Sequence, residues 1–254
     1  MGNLSKAHPY HGKTTLGGEM IEYFAEKSKR SQLRRYSHTF LGISMLNPNH
    51  HGEKFDKIIE WVDQQENFKH CFIYLADSLY RHHFMMQDGL GEKDAYEKSL
   101  HFGDKWLAKH TQYIEKLNIP YRIVRWDEHW QNPYLRVVQD IFLNEYEQNS
   151  AFQRAVRNDI ECIFARRGIE TNHILPKEFT HCRNFILEEL AVDSLFFQKY
   201  EVAWIYPGKA LEAYTYLRTK EDKDFAASFK NHYPVRLMSR EVVMPDLQTV
   251  RKAA

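Results

Sequence analysis

Short apolar segments alternate with segments of helical periodicity along most of this chain. That alternation restricts the fold more than any other feature. Residues 36–43 and 70–76 read as strands. The second contains the unbroken run Cys71-Phe72-Ile73-Tyr74-Leu75, as expected of a strand buried on both faces. Between them Phe55, Ile58, Ile59 and Val62 recur at i, i+3, i+4 and i+7 and predict a helix over 53–65. A long helix is predicted over 95–117, stopped by Asn118-Ile119-Pro120, then a strand over 121–125. Helices follow over 134–148, 151–167 and 176–198, then a strand over 200–206 closed by Pro207-Gly208. A helix over 209–217 and a strand over 235–243 complete the series. Strands alternating with helices imply βαβ units, a parallel sheet and right-handed crossovers. The expectation is a doubly wound α/β domain over 36–254, with a helical insertion at about 134–175 and a basic arm over 1–35. Within the arm, 20–27 is expected to form a short helix, and 85–94 and 219–232 are expected to be surface loops.

Bulk properties exclude several classes. A length of 254 residues suits one elaborated α/β domain. A formal charge of +1 does not make the whole molecule a nucleic-acid magnet, so an anionic partner must be held by a local patch. Cys71, Cys162 and Cys182 form no C-x-x-C pair. They are expected to be buried thiols in a reducing compartment. The first 20 residues lack an apolar core and no apolar run reaches membrane length, so a cytoplasmic protein without a membrane partner is expected. The pairs His50-His51 and His82-His83 diverge on any regular element, and no H-E-x-x-H occurs, so no metal site is expected. No G-x-G-x-x-G or phosphate loop is present, so no nucleotide cofactor is expected. A G-x-S-x-G elbow is also missing, because Ser44 is followed by Met45-Leu46.

In a parallel α/β sheet the carboxyl ends of the strands line one crevice. Here they carry Gly42-Ile43-Ser44, Asp77-Ser78-Leu79-Tyr80-Arg81-His82, Trp126-Asp127 and Tyr206-Pro207. Gly42 allows close approach to the backbone. Ser44 reads either as a nucleophile or as a turn residue. On the helix before the 200–206 strand, Glu188 and Glu189 point about 100° apart. An inward glutamate beside Phe185 and Leu190 would have a raised pKa, suited to proton transfer. Spacing alone favours a surface pair on an amphipathic helix. Lys98, Lys105 and Lys109 share a helix face, with Arg34 and Arg35 upstream. They read as a phosphate-binding patch or as a solvated surface.

Taken in order, these motifs resemble those of the cyclodipeptide synthases, which make a diketopiperazine from two aminoacyl-tRNAs. The family's G-x-S-x-x-N is similar to Gly42-Ile43-Ser44-Met45-Leu46-Asn47. Asp77–His82, Trp126-Asp127 with Tyr134, Phe185 with Glu189-Leu190, and Tyr206-Pro207 resemble the family's further motifs in order and spacing over roughly 36–210. Tyr206-Pro207 resembles the Tyr-Pro subfamily, whereas Asn47 is typical of the other. Phe185 stands where the family usually has Tyr.

The resemblance implies a Rossmann-like sheet similar to the catalytic domain of class I aminoacyl-tRNA synthetases. It implies a monomer acting on two aminoacyl-tRNAs, with no cofactor and no DNA partner. Ser44 would carry the aminoacyl group, and backbone N–H groups after Gly42 would stabilise the oxyanion. Glu189 would bind the α-ammonium and move its proton, and Tyr206 would assist cyclisation. Tyr134 and Asn47 would orient substrate, with Asp77 and Tyr80 in support. Cys71, Ile73, Phe185 and Leu190 would wall the amino-acid pocket. Lys98, Lys105, Lys109, Arg34 and Arg35 would hold tRNA phosphates. The alternatives are a non-catalytic tRNA- or aminoacyl-binding module and a serine hydrolase, for which the sequence supplies no His–acid partner.

Overall fold

A computed structural model describes residues 20–24, 33–207, 210–220, 224–230 and 232–239. Its strands are β1 (Met20–Phe24), β2 (His38–Ile43), β3 (His70–Leu75), β4 (Tyr121–Arg125), β5 (Val202–Tyr206) and β6 (His232–Ser239). Its α-helices are α1 (Gly52–Asp63), α2 (Arg81–Gln87), α3 (Glu92–Ile114), α4 (Leu135–Gln148), α5 (Ser150–Ala165), α6 (Pro176–Lys199) and α7 (Glu212–Arg218).

The six strands form one sheet in the order β1-β6-β5-β2-β3-β4. Strands β2 to β6 are parallel, with Leu41 facing Ile73 on one side and Ile205 on the other. Side chains alternate between two cores, as strand geometry requires. Leu41, Ile43, Cys71, Ile73 and Leu75 pack with α1 and α3. Phe40, Phe72, Tyr74 and Trp204 pack with α4, α5, α6 and α7. Succession from β2 to β3 and β4 runs one way along the sheet, and β5 and β6 lie on the other side of β2. The order therefore reverses between β2 and β5, which is where a doubly wound sheet opens a crevice. Ser44 follows β2 and Tyr206 ends β5.

The structure corrects four expectations. Residues 20–24 form a strand, not a helix, paired antiparallel to β6 from Met20–Ser239 to Phe24–Val235. Five residues are too few for a stable isolated helix, and β1 covers an otherwise open sheet edge. The 85–94 loop shrinks to 88–91, because 81–87 and everything from Glu92 onward are helical. The 219–232 loop contains a short 3-10 helix, Asp224–Lys230, that buries Ala226, Ser228 and Phe229. Phe229 meets Phe142, Phe197 and Tyr214 edge-on. Finally, Cys162 is exposed while Cys71 and Cys182 are buried. It lies off the apolar face of α5, which points Ile160 and Phe164 inward. Much of the basic arm, Lys27, Lys29 and Arg30 included, lies outside the described residues, as does the end of the expected last strand beyond Ser239.

Close approach of α3 to the sheet depends on Gly103. A Cβ there would stand 2.7 Å from the Asp77 Cβ, so only glycine lets the helix reach the end of β3.

Candidate active site at the sheet's switch point

After β2 the chain turns tightly. Asn47 N–H bonds the Ser44 carbonyl at 2.9 Å, and Asn47 Oδ1 accepts from Asn49 N–H at 3.0 Å, capping the 3-10 turn Pro48–His50. The turn brings the buried His50 ring back beneath Ser44. Ser44 N–H donates to His50 Nδ1 at 2.9 Å. The same Nδ1 lies 3.0 Å from the Ser44 carbonyl, so the ring is held against the Ser44 backbone in either tautomer: unprotonated, Nδ1 accepts the amide N–H, and protonated, it donates to the carbonyl. Burial pushes the imidazole down to about 4, so His50 is neutral at physiological pH.

Ser44 Oγ lies 2.6 Å from the Tyr80 hydroxyl, which also accepts Leu46 N–H at 3.3 Å. Burial raises Tyr80 to about 12, against the opposing bonds from Ser44 and Leu46. Tyr80 is therefore a neutral partner of Ser44 and not its base. Tyr206 completes the group. The Asn47 and Ser44 side chains lie close enough to its hydroxyl to favour ionisation, but burial followed by the Glu189 charge outweighs them and raises its pKa. Gly42 makes room here: a Cβ would lie 3.4 Å from Phe40 and from the Trp204 indole nitrogen, and 3.8 Å from the Tyr206 ring. No histidine bonds Ser44 Oγ among the described residues, so a Ser–His hydrolase pair has no support. Of the backbone N–H groups after Gly42, Ser44 N–H lies 2.9 Å from His50 Nδ1 and Leu46 N–H bonds the Tyr80 hydroxyl. The Tyr80 hydroxyl and the Tyr206 and Asn47 side chains add polar groups around Ser44 Oγ.

Glu189 approaches from α6. Burial, with the Asp159 carboxylate, raises it to about 8, and no basic side chain pairs with it among the described residues. Asp193, one turn further along α6, is raised by burial and then by Glu189. The Tyr214 hydroxyl donates to it. Asp159, on α5, accepts Glu212 N–H at 2.7 Å and Ala213 N–H at 2.9 Å and so caps α7. Three carboxyl groups thus converge beside the Tyr206 end of the crevice. Glu188 faces elsewhere. Arg81 holds it in a two-pronged pair at 2.9 and 2.5 Å, and His82 at 3.1 Å and the Trp126 indole at 3.0 Å add to it. Burial alone would raise its pKa; the bonds from His82 and Arg81 outweigh that and hold it at about 2.

The remaining expected residues divide. Phe185 borders the site, its ring 6.1 Å from Tyr80 in an edge-on contact. Asp77 does not. It is fully buried, accepts Ser78 N–H, Trp126 N–H and Arg125 Nε–H, and ties the ends of β3 and β4 together. Tyr134 is 66% exposed at the start of α4, its N–H bonded to Asn132 Oδ1. Cys71 and Ile73 pack in the opposite core, so of the expected pocket walls Phe185 and Leu190 alone lie on the α6 side. Lys98, Lys105 and Lys109 are exposed on α3, with Lys98 paired to Asp88 at 2.9 Å, and Arg34 and Arg35 are exposed before β2. The sequence reading missed His50, Asp159, Asp193 and Tyr214. For His50 a signal existed: a histidine just past a proline, within one tight turn of the serine.

Comparison with known proteins bears on this geometry. No family model and no curated protein sequence matches the chain. Solved structures do. A cyclodipeptide synthase from Fluoribacter dumoffii superposes with a TM-score of 0.75 at 24% identity, covering 88% of this chain and 100% of that one. The fold is that of the cyclodipeptide synthases. The synthase from Candidatus Glomeribacter gigasporarum, solved bound to Phe-tRNAPhe, matches with a TM-score of 0.62 at 19% identity, over 83% of this chain and 91% of its own. A Mycobacterium tuberculosis protein, whose structure is described as demonstrating that cyclodipeptide synthetases are related to type I tRNA synthetases, matches with a TM-score of 0.66 at 13% identity, over 89% and 96%. What these share with the present chain is a parallel sheet with helices on both faces. No helix among the described residues is long and apolar enough to cross a membrane.

Proposed function

We propose that this protein is a tRNA-dependent cyclodipeptide synthase of the Tyr-Pro type, with Ser44 as the acceptor of the aminoacyl group. The observation that carries the reading is the Ser44 hydroxyl at the switch point, 2.6 Å from Tyr80 and close to Tyr206, with Glu189 beside them and no histidine bonded to it among the described residues. A base-free serine suits an activated ester as substrate, because the ester already carries the energy that acylation needs.

Ser44 Oγ attacks the ester carbonyl of the first aminoacyl-tRNA. The C–O bond to the terminal ribose breaks, and the serine proton passes to that ribose oxygen. Tyr80, Tyr206 and Asn47 bear on the tetrahedral oxyanion. Glu189, raised to about 8 in the empty site, is drawn to its carboxylate form by an arriving α-ammonium. It then takes a proton from that ammonium, which frees the amine as a nucleophile. The amine attacks the ester carbonyl of a second aminoacyl-tRNA; the C–O bond to that ribose breaks, the ribose oxygen takes the proton the amine sheds, and the second tRNA departs to leave a dipeptidyl ester on Ser44. The remaining amine closes on the Ser44 ester, with Tyr206 bonded to the reacting oxygen, and releases the diketopiperazine and the serine.

The tRNA phosphates are met by Lys105 and Lys109 on α3, by Lys98 once it leaves Asp88, and by Arg34 and Arg35. The enzyme works as a cytoplasmic monomer, with 36–254 as the catalytic domain and a basic arm over 1–35 whose Met20–Phe24 segment joins the catalytic sheet as an edge strand. The test is incubation with a mixture of aminoacyl-tRNAs and a search for a diketopiperazine mass. The wild type is expected to give product and a Ser44-linked aminoacyl adduct, and Ser44→Ala neither. Binding of aminoacyl-tRNA without product would turn the reading into a binding module.

A further inference from the structure

Beneath Ser44 lies a second layer of buried polar contacts that the reaction above does not use. Besides the Ser44 N–H···Nδ1 bond, the His50 carbonyl accepts the Trp106 indole N–H at 3.2 Å. Trp106 belongs to α3, the helix that carries Lys98, Lys105 and Lys109. It is stacked at 4.3 Å and 14° on His110, whose Nδ1–H bonds the Trp106 carbonyl at 2.6 Å. His51 adds a parallel tie, its Nε2 at 2.7 Å from the Met45 carbonyl and its ring 5.0 Å from His110. His50 and His110 are both fully buried. The His50 Nε2 has no hydrogen-bond partner among the described residues, and the rings of Tyr206 and Phe55 stand edge-on to the imidazole. Burying a polar ring costs free energy. A leucine of similar bulk would fill the space without that cost.

We propose that His50 is a positioning residue: its Nδ1 fixes the Ser44 backbone, and its carbonyl joins that backbone through Trp106 to the basic helix α3. The nucleophile is thereby set in register with the surface that receives the tRNA. Misplacing a reacting group by about 1 Å costs on the order of 10²-fold in rate, so the tie acts on the acylation step. The inference rests on the reading of Ser44 as the acyl acceptor.

The test compares His50→Leu, His50→Asn and Trp106→Phe by the single-turnover rate of acyl-Ser44 formation against aminoacyl-tRNA concentration. Asparagine places an amide oxygen near the Nδ1 position and can still accept Ser44 N–H, whereas leucine fills the space without an acceptor. The expected result is a maximal rate about 10²-fold lower for His50→Leu, with the half-saturating concentration unchanged, and a loss of less than about tenfold for His50→Asn. Trp106→Phe keeps the ring on His110 and removes the N–H; it should fall between them. A packing role predicts the reverse order, leucine tolerated and the buried amide not, and that order would overturn the inference. Thermal melting checks that each variant is folded. Should His50→Leu fail to fold, Trp106→Phe at the wild-type rate overturns the proposal, and a slowed rate with unchanged half-saturation supports it. A wild type that forms no acyl-Ser44 sinks the functional reading itself. A wild type that acylates alongside variants at full rate sinks this inference alone.

Discussion

Glu188 and Glu189 are consecutive on α6 but belong to two differently built regions. Glu188 joins the network at the ends of β3 and β4, where each charge has an opposite number: Arg81 with Glu188, Arg125 with Asp77 and Asp104. Glu189 joins the switch-point crevice, where Asp159 raises its pKa, it raises that of Asp193, and no basic side chain pairs with Glu189 among the described residues. Burial acts on both glutamates in the same sense. The Arg81 guanidinium and His82 reverse it for one and leave it standing for the other, so the same side chain is held at about 2 and at about 8. Compensated charge of the first kind holds a fold together. An uncompensated carboxyl in a crevice is a site waiting for a cation, and an α-ammonium is one.

The comparison breaks most sharply if the two glutamates exchange roles. Glu189→Gln is expected to lower diketopiperazine formation by about 10²–10⁴-fold, with urea unfolding no worse than that of the wild type. Glu188→Gln is expected to lose about 3 kcal/mol of stability in the same titration, because it strands the Arg81 guanidinium in the interior. Its activity per folded molecule should persist. A Glu188 variant that is folded but inactive would show that the strand-end network belongs to the chemistry.

Titration sharpens the contrast. The ordinary value for both glutamates is 4.5. Glu189, raised, gives a stability contribution that is complete below about 4.5 and lost as pH rises through about 8. Glu188, lowered, contributes fully above about 4.5 and loses it as pH falls through about 2. Melting temperature measured from pH 5 to 9 should therefore decline less in Glu189→Gln than in the wild type, with Asp193 keeping part of the slope. Between pH 4.5 and 2 the Glu188→Gln variant should be the less pH-sensitive one. Identical profiles for the two variants would remove the distinction between the regions.

The parts of the molecule that a linear reading reaches are those set by local pattern. β3 is apolar at nearly every position because both faces are covered, and α1 and α6 show periodicities that their packing preserves. β1 was unreadable because its state is fixed by β6, more than two hundred residues away. The crevice divides in the same way. Ser44 and Tyr206 stand at strand ends, and strand order brings them together. Asp159 reaches the site because it caps α7, and Tyr214 because α7 then turns it toward Asp193. Those contacts join three helices, and no spacing along the chain encodes them. Tyr134 shows the converse: the motif order suggests a substrate contact, and its side chain is exposed at the start of α4.

Phe185 offers the smallest change and the finest test of how the crevice holds its cation. Its ring meets Tyr80 edge-on at 6.1 Å, beside the hydroxyl that bonds Ser44. The tyrosine usual at this place in the resembling family would add one hydroxyl at the border of a site that already has Glu189. A single neutral hydrogen bond contributes about 1 kcal/mol, so Phe185→Tyr should lower KM for aminoacyl-tRNA about fivefold. Because that bond is equally present in the ground and transition states, kcat should not move. A rise in kcat instead would mean that the hydroxyl acts on the developing oxyanion through Tyr80 and Ser44. An unchanged KM would mean that the uncompensated carboxyl alone holds the ammonium, and that charge, not hydrogen-bond count, is what distinguishes the crevice from the network beside it.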